Sequence, residues 1–230
     1  MEISKRLKTI ASYVPIGSNV VADIGTDHGY IPIYLIKNNI ANKCIACDIN
    51  AMPLESAKQN IINHSMENQI ETRLANGLSK LKIGEANVII IAGMGGMLII
   101  NILEDNLDTV KAVGLLILQP QVDEDMVRRY LHSISFSISD EKMIYEDGKY
   151  YTIIVAKPGR EARYSQEEYM IGAKLIENRD PTLKKYIEHK RGNLNKIKNN
   201  IKEIKSESSK KRLNEVEKEL SIYEDVLECL

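Results

Sequence analysis

The spacing of apolar residues divides the chain near residue 157. Before that point, short apolar blocks recur at 20–24, 43–49, 70–74, 87–92 and 114–118, each rich in β-branched or wholly apolar residues. Between the early blocks, the stretches near 29–39, 52–64 and 95–106 repeat their apolar residues at helical spacing. An amphipathic helix carrying Ile3, Leu7 and Ile10 precedes them. Strands without polar alternation are buried on both faces, so this order predicts a parallel sheet covered by helices on either side. The end of the region differs. The runs 134-ISFSISDEKMIYE-146 and 150-YYTIIVA-156 are joined by Asp147-Gly148, a hairpin signal with no helix between. The expected fold is α/β, a Rossmann-like sheet closed by an antiparallel hairpin.

Lys157-Pro158-Gly159-Arg160 breaks the pattern, and strands disappear beyond it. Leu183, Ile187, Lys190, Leu194, Ile197, Ile201 and Ile204 alternate steps of four and three, as do Leu213, Val216, Leu220, Tyr223, Leu227 and Leu230. Such steps are heptad seams. With the short polar linker 206-SESSK-210 between them, the two helices are expected to fold back as an antiparallel coiled-coil hairpin. Residues 1–157 are thus read as the α/β domain and 158–230 as a helical appendage.

Charge sharpens this division. Residues 182–212 hold eleven Lys or Arg against three Glu, a net +8, and the overall −1 leaves −9 for the rest. A cationic segment on a nearly neutral protein points to a polyanionic partner. The longest apolar runs are too short to span a bilayer, and 1-MEISKRLKTI-10 lacks the apolar core of a secretion signal. A cytoplasmic location is expected. Cys44 and Cys47 form a C-x-x-C inside a strand-like run, where residues three apart point to opposite faces. They are read as buried small side chains, with no metal site.

The chemistry concentrates at the strand ends. In 20-VVADIGTDHGYIPIYL-35 an apolar strand ends in Asp23 and Gly25, and a polar turn leads to Gly29 at a helix start. Glycine allows close backbone approach to a ligand, and the helix start offers free N–H groups. Asp27 stands where a dinucleotide fingerprint has its second glycine. A carboxylate there repels pyrophosphate and suits a cationic ligand; a turn capped by Asp27 with no ligand is the alternative. The next strand ends at Asp48, which fits an acid on ribose hydroxyls, although such acids also cap the following helix. Asn76-Gly77 ends a third strand, where a polar side chain suits an adenine edge. The fourth gives 91-IAGMGGMLI-99, whose Gly93, Gly95 and Gly96 clear space beside the strand end.

Taken together, 5-KRLKTIASYV-14, 23-DIGTDHGYIPIYL-35, 92-AGMGG-96, 115-LLILQP-120 and 150-YYTIIVA-156, followed by the helical appendage, resemble the bacterial tRNA (adenine(22)-N(1))-methyltransferases, known as TrmK. The resemblance covers essentially the whole chain. It implies a methyltransferase Rossmann domain with a C-terminal coiled coil, S-adenosylmethionine as cofactor and tRNA as partner. It implies the donor against Asp23, Gly25, Asp27 and His28, its ribose on Asp48, and its adenine near Asn76 and Gly77. Ala92, Gly93, Met94 and Gly95 would line the methyl-transfer cleft, with Gly93, Met94 and Gly95 nearest the chemistry. Arg6 resembles a position near the donor carboxylate or the RNA. The family has an acid where this chain has Asn76 and an Asn where it has Gln121.

Lys184, Lys185, Lys190 and Arg191 are the expected RNA contacts, and Tyr30 and Tyr34 either stack on bases or pack on the sheet. A monomer is expected, with dimerisation through the coiled coil left open. The competing readings are a methyltransferase for another RNA or small molecule, and a nonenzymatic RNA-binding module. Asp27, standing in for a glycine, argues against a nicotinamide dehydrogenase.

Overall fold

The computed structural model describes residues 2–202 and 207–230. The chain forms two compact units, Met1–Arg163 and Tyr164–Leu230. In the first, helix α1 (Lys5–Ser12) leads into β1 (Ser18–Ile24), α2 (Tyr30–Lys37), β2 (Ala41–Asp48), α3 (Ala51–Asn63) and β3 (Ile70–Leu74). Then follow β4 (Val88–Met94), α4 (Gly96–Glu104), α5 (Leu107–Lys111), β5 (Leu115–Pro120), α6 (Glu124–Ser133), β6 (Phe136–Glu146) and β7 (Lys149–Pro158). The sheet order is β3-β2-β1-β4-β5-β7-β6. Strands β1 to β5 are mutually parallel, and β7 runs antiparallel to both β5 and β6. The wholly apolar runs are the central strands: Val88 to Ile91 and Leu115 to Leu118 are all buried. Burial on both faces makes these strands insensitive to register by polarity, and their aliphatic side chains form the core.

The first unit extends past the expected break at 157. β7 reaches Pro158, and the Glu161 carboxylate returns to the sheet, accepting from Ile138 N at 2.6 Å and lying 2.8 Å from His132 Nε2. Helix α6 is absent from the elements that the apolar spacing predicts. Its inward face carries Val127 and Leu131, but also Arg128, which is 1% exposed and whose Nε donates to Glu141 Oε1 at 2.7 Å. A charge on the buried face interrupts the apolar period that would reveal the helix.

The second unit comprises α7 (Gln166–Ile171), α8 (Ala173–Glu177), α9 (Pro181–Lys202) and α10 (Glu207–Cys229). Ser165 opens α7 with a capping box closed by Glu168. Helices α9 and α10 pack as an antiparallel pair, with Lys198 Nζ 2.8 Å from Glu217 Oε1. Leu183, Ile187 and Leu194 are buried on one side, and Val216, Leu220, Tyr223 and Val226 on the other. Two details depart from the heptad reading. Ile197 is 38% exposed, and Val226 is buried next to the half-buried Leu227. The expected linker is helical from Glu207 onward; Ser206 and the seam residue Ile204 lie outside the described residues. Among the described residues, no helix is long and apolar enough to cross a membrane.

Candidate active site

The carboxyl ends of the parallel strands converge because each following turn is tied to its neighbour. Gly25 N and Thr26 N both donate to Cys47 O, at 2.8 and 2.9 Å, so the turn after β1 is pinned to the end of β2. Ala75 N donates to Asp48 O at 2.8 Å, bringing Asn76 beside Asp48. Gln121 N donates to Met94 O at 2.8 Å and Gly96 N to Val122 O at 3.0 Å, joining the loops after β4 and β5. Gly25 has φ +75°, and a Cβ there would collide with the methyl group of Met94. Only glycine meets both demands.

These ties leave a cavity of about 530 Å³, within the range of small-molecule sites. Of the residues expected at a site, Arg6, Asp23, Gly25, Asp27, Ala92 and Gly93 line it, together with Gln121 and Tyr30. Asp23 is 6% exposed. Burial pushes its carboxyl up to about 6, opposed by the Thr26 hydroxyl and reinforced by the charge of Asp48. Asp27 is exposed, and His28 Nε2 lies 3.2 Å from its Oδ1 while the His28 ring stacks on Tyr30 at 5.3 Å. Tyr34, by contrast, packs against the apolar core.

His28, Asp48, Asn76, Gly77, Met94 and Gly95 do not line this cavity. Asp48 and Asn76 sit together at the ends of β2 and β3, and Asp48 Oδ1 accepts from Asn50 N at 2.7 Å just before α3. Gly77 has φ +54° and packs against Ile102. Met94 covers Gly25, and Gly95 forms the extended N-cap of α4. Lys184, Lys185, Lys190 and Arg191 all lie on α9 in the second unit, with Lys190 Nζ 5.4 Å from the Tyr186 ring centroid. Cys44 and Cys47 are buried free thiols; burial pushes Cys47 up to about 12 and raises Cys44 as well.

Three contributors act on Arg6 through contacts distant in the sequence. Gln119 is 0% exposed and its Oε1 accepts from Arg6 Nη1 at 2.8 Å. Tyr151 presents its ring 5.2 Å from the same guanidinium. Glu146 accepts from Lys5 N at 2.6 Å and Arg6 N at 3.2 Å, fixing the start of α1. Only Gln119, a polar residue in an otherwise apolar strand, could have been singled out from sequence.

Residues 3–154 match the family described as "Methyltransferase domain". The tRNA (adenine(22)-N(1))-methyltransferase of Bacillus subtilis is 42% identical over 165 residues, which is 71% of this chain and 69% of that protein. The chain belongs to the tRNA (adenine(22)-N(1))-methyltransferase family. The likeness of these methyltransferases extends over both units. A putative tRNA (m1A22) methyltransferase of Streptococcus pneumoniae, solved in complex with S-adenosyl-L-methionine, superposes with a TM-score of 0.89 at 32% identity, covering 98% of this chain and 100% of that one. TrmK of M. capricolum, solved with S-adenosyl-homocysteine, gives 0.87 at 28% identity over 100% of this chain and 99% of that one. The methyltransferase match includes every residue that lines the cavity except Glu2, from Ile3 to Gln121.

Proposed function

We propose that this chain methylates N(1) of adenine 22 in the D-arm of tRNA, with S-adenosylmethionine as methyl donor. The observation that carries this reading is the cavity at the strand ends, which sets the buried acid Asp23 and the cation Arg6 in one site within the matched methyltransferase region. An acid and a cation in one cavity fit the ammonium and carboxylate of the donor's amino-acid end. Asp48 suits the ribose hydroxyls and Asn76 and Gly77 the adenine, so the residues present fit the cofactor. Bound there, it supplies an electrophilic methyl group on a sulfonium.

The chain's own contribution is position and electrostatics. Ala92 and Gly93 form the transfer side, with Met94 and Gly95 behind them, and Gly93 keeps the space beside Arg6 and Gln121 free of a side chain. The N(1) lone pair of neutral adenine is already nucleophilic, so orientation replaces a strong base. The methylated ring is cationic until it loses a proton, and the carboxylates of the cavity favour that charge. A paired adenine hides N(1), so the nucleotide must leave its stack, and Tyr30 at the cavity edge offers a ring to receive it. The first unit acts as the donor-binding methyltransferase domain. The second acts as the tRNA grip through Lys184, Lys185, Lys190 and Arg191. A tRNA substrate places the reaction in the cytoplasm. Tritiated methyl transfer to unmodified tRNA, followed by mapping of the labelled nucleotide, is expected to find label at adenine 22. Label elsewhere, or none, overturns the proposal.

A further inference from the structure

The cavity is lined by acids, Asp23, Asp27 and Glu2, and Arg6 is the cation among its described lining residues. No ion pair joins Arg6 to a described carboxylate. Its guanidinium is instead held by two neutral partners, the Gln119 amide at 2.8 Å and the face of Tyr151 at 5.2 Å. The amide is itself locked. Arg can only donate, so Gln119 must turn Oε1 toward it. Gln119 Nε2 then donates to Pro120 O at 2.7 Å, an atom that can only accept. Glu146 fixes the backbone of Lys5 and Arg6 from the far strand, so the side chain leaves α1 from a set point. Among the described residues, Arg6 Nε and Nη2 make no hydrogen bond. A carboxylate at position 119 would neutralise the guanidinium and face the Pro120 carbonyl with an oxygen. The neutral amide holds the same geometry and leaves the charge available to a ligand.

We propose that Gln119 is a positioning residue that holds Arg6 as the cavity's oxyanion seat, with the free donors of Arg6 taking a carboxylate or phosphate oxygen. This rests on the donor reading above, in which the oxyanion is the carboxylate of the donor's amino-acid end. A nucleotide phosphate has the same chemistry and is the other source.

Calorimetry on the full chain separates the cases, using S-adenosylhomocysteine and 5′-methylthioadenosine, which keeps the nucleoside and thioether but lacks the amino acid. Gln119→Leu is expected to weaken S-adenosylhomocysteine about tenfold, the scale of one charge-assisted hydrogen bond, and to leave methylthioadenosine within about twofold. Gln119→Glu is expected to weaken the first ligand further. In an Arg6→Ala background, Gln119→Leu should add nothing, because Gln119 acts through Arg6. If S-adenosylhomocysteine is unaffected while the KM for tRNA rises about tenfold at constant kcat, the seat takes a phosphate and the positioning role stands. Equal losses for both ligands, additive losses with Arg6→Ala, or no change in either ligand or in the KM for tRNA would overturn it. A parent chain that binds neither nucleoside ligand would sink the donor reading and this proposal with it, a result unlike any of the variant outcomes.

Discussion

Asp23 is a carboxylate that the sheet buries at the end of β1, and burial is the main reason its carboxyl titrates at about 6 and not at the ordinary 3.8. Between those values the folded protein keeps a proton that the unfolded chain releases. The stability tied to this group is therefore fully present below about pH 4 and is lost as pH rises through 6, by about 3 kcal/mol. Asp23→Asn, which carries no charge, should melt above the parent at pH 7.5, with the gap shrinking steadily as pH falls from 6 toward 4. A parent-like melting curve at every pH would remove the burial argument. Ligand binding runs the other way. A cationic group beside Asp23 favours the carboxylate, so S-adenosylmethionine affinity should strengthen as pH rises toward 6 and level off above it. Calorimetry below pH 6 should also detect a released proton. Flat affinity between pH 5 and 7.5 would move the ammonium away from Asp23.

Between strand and helix, the glycines after β4 have separable tasks. A Cβ on Gly96 would stand 2.7 Å from the carbonyl oxygens of Val122 and Asp123, both backbone atoms that cannot step aside. A Cβ on Gly95 would meet only Val122 Cγ2, at 3.8 Å. Gly96→Ala should therefore cost about 1–3 kcal/mol of stability, and Gly95→Ala within about 0.5 kcal/mol. Denaturant melts of the two variants test the ranking, and equal losses would contradict it. The same contrast marks what the sequence reveals. Three glycines in four positions, Gly93, Gly95 and Gly96, announce a special turn, but which of them packs on backbone depends on the loop after β5, some 25 residues away. The central strands β4 and β5 are legible because full burial leaves the unbroken apolar runs Val88 to Ile91 and Leu115 to Leu118, whereas β3 carries Glu71 and Arg73 and is buried only at Ile70. Helix α6 is not, because Arg128 is buried through its pairing with Glu141 on a strand that forms later in the chain. At the site, Asp23 and Gly25 announce themselves through local turn chemistry. Gln119, Glu146 and Tyr151 act on Arg6 only through contacts more than 100 residues apart, which no periodicity encodes.

At the level of the whole molecule, charge is divided between the two long helices. Helix α9 carries seven Lys or Arg and one Glu, while α10 carries four Lys or Arg and seven acids. The pair is held by an apolar seam that includes Leu194, Val216 and Leu220 and by the Lys198–Glu217 bridge, so the basic surface rides on a fixed frame. Lys184 and Lys185 are exposed on that surface, and Lys190 and Arg191 are half-buried beside it. Phosphate contacts of this kind set affinity and its salt dependence while reading little sequence. A Lys-rich helix also serves solubility alone, so the decisive observable is the salt slope and not the presence of charge. Replacing Lys184, Lys185, Lys190 and Arg191 together with Gln should weaken tRNA binding at low salt and reduce the slope of log affinity against log salt, by up to about 0.7–0.9 for each phosphate left without its cation. Donor affinity should stay with the parent, because none of the four residues lines the cavity. If the neutralised protein holds tRNA as tightly as the parent across the whole salt range, α9 is a scaffold and the RNA grip must be sought on the first unit.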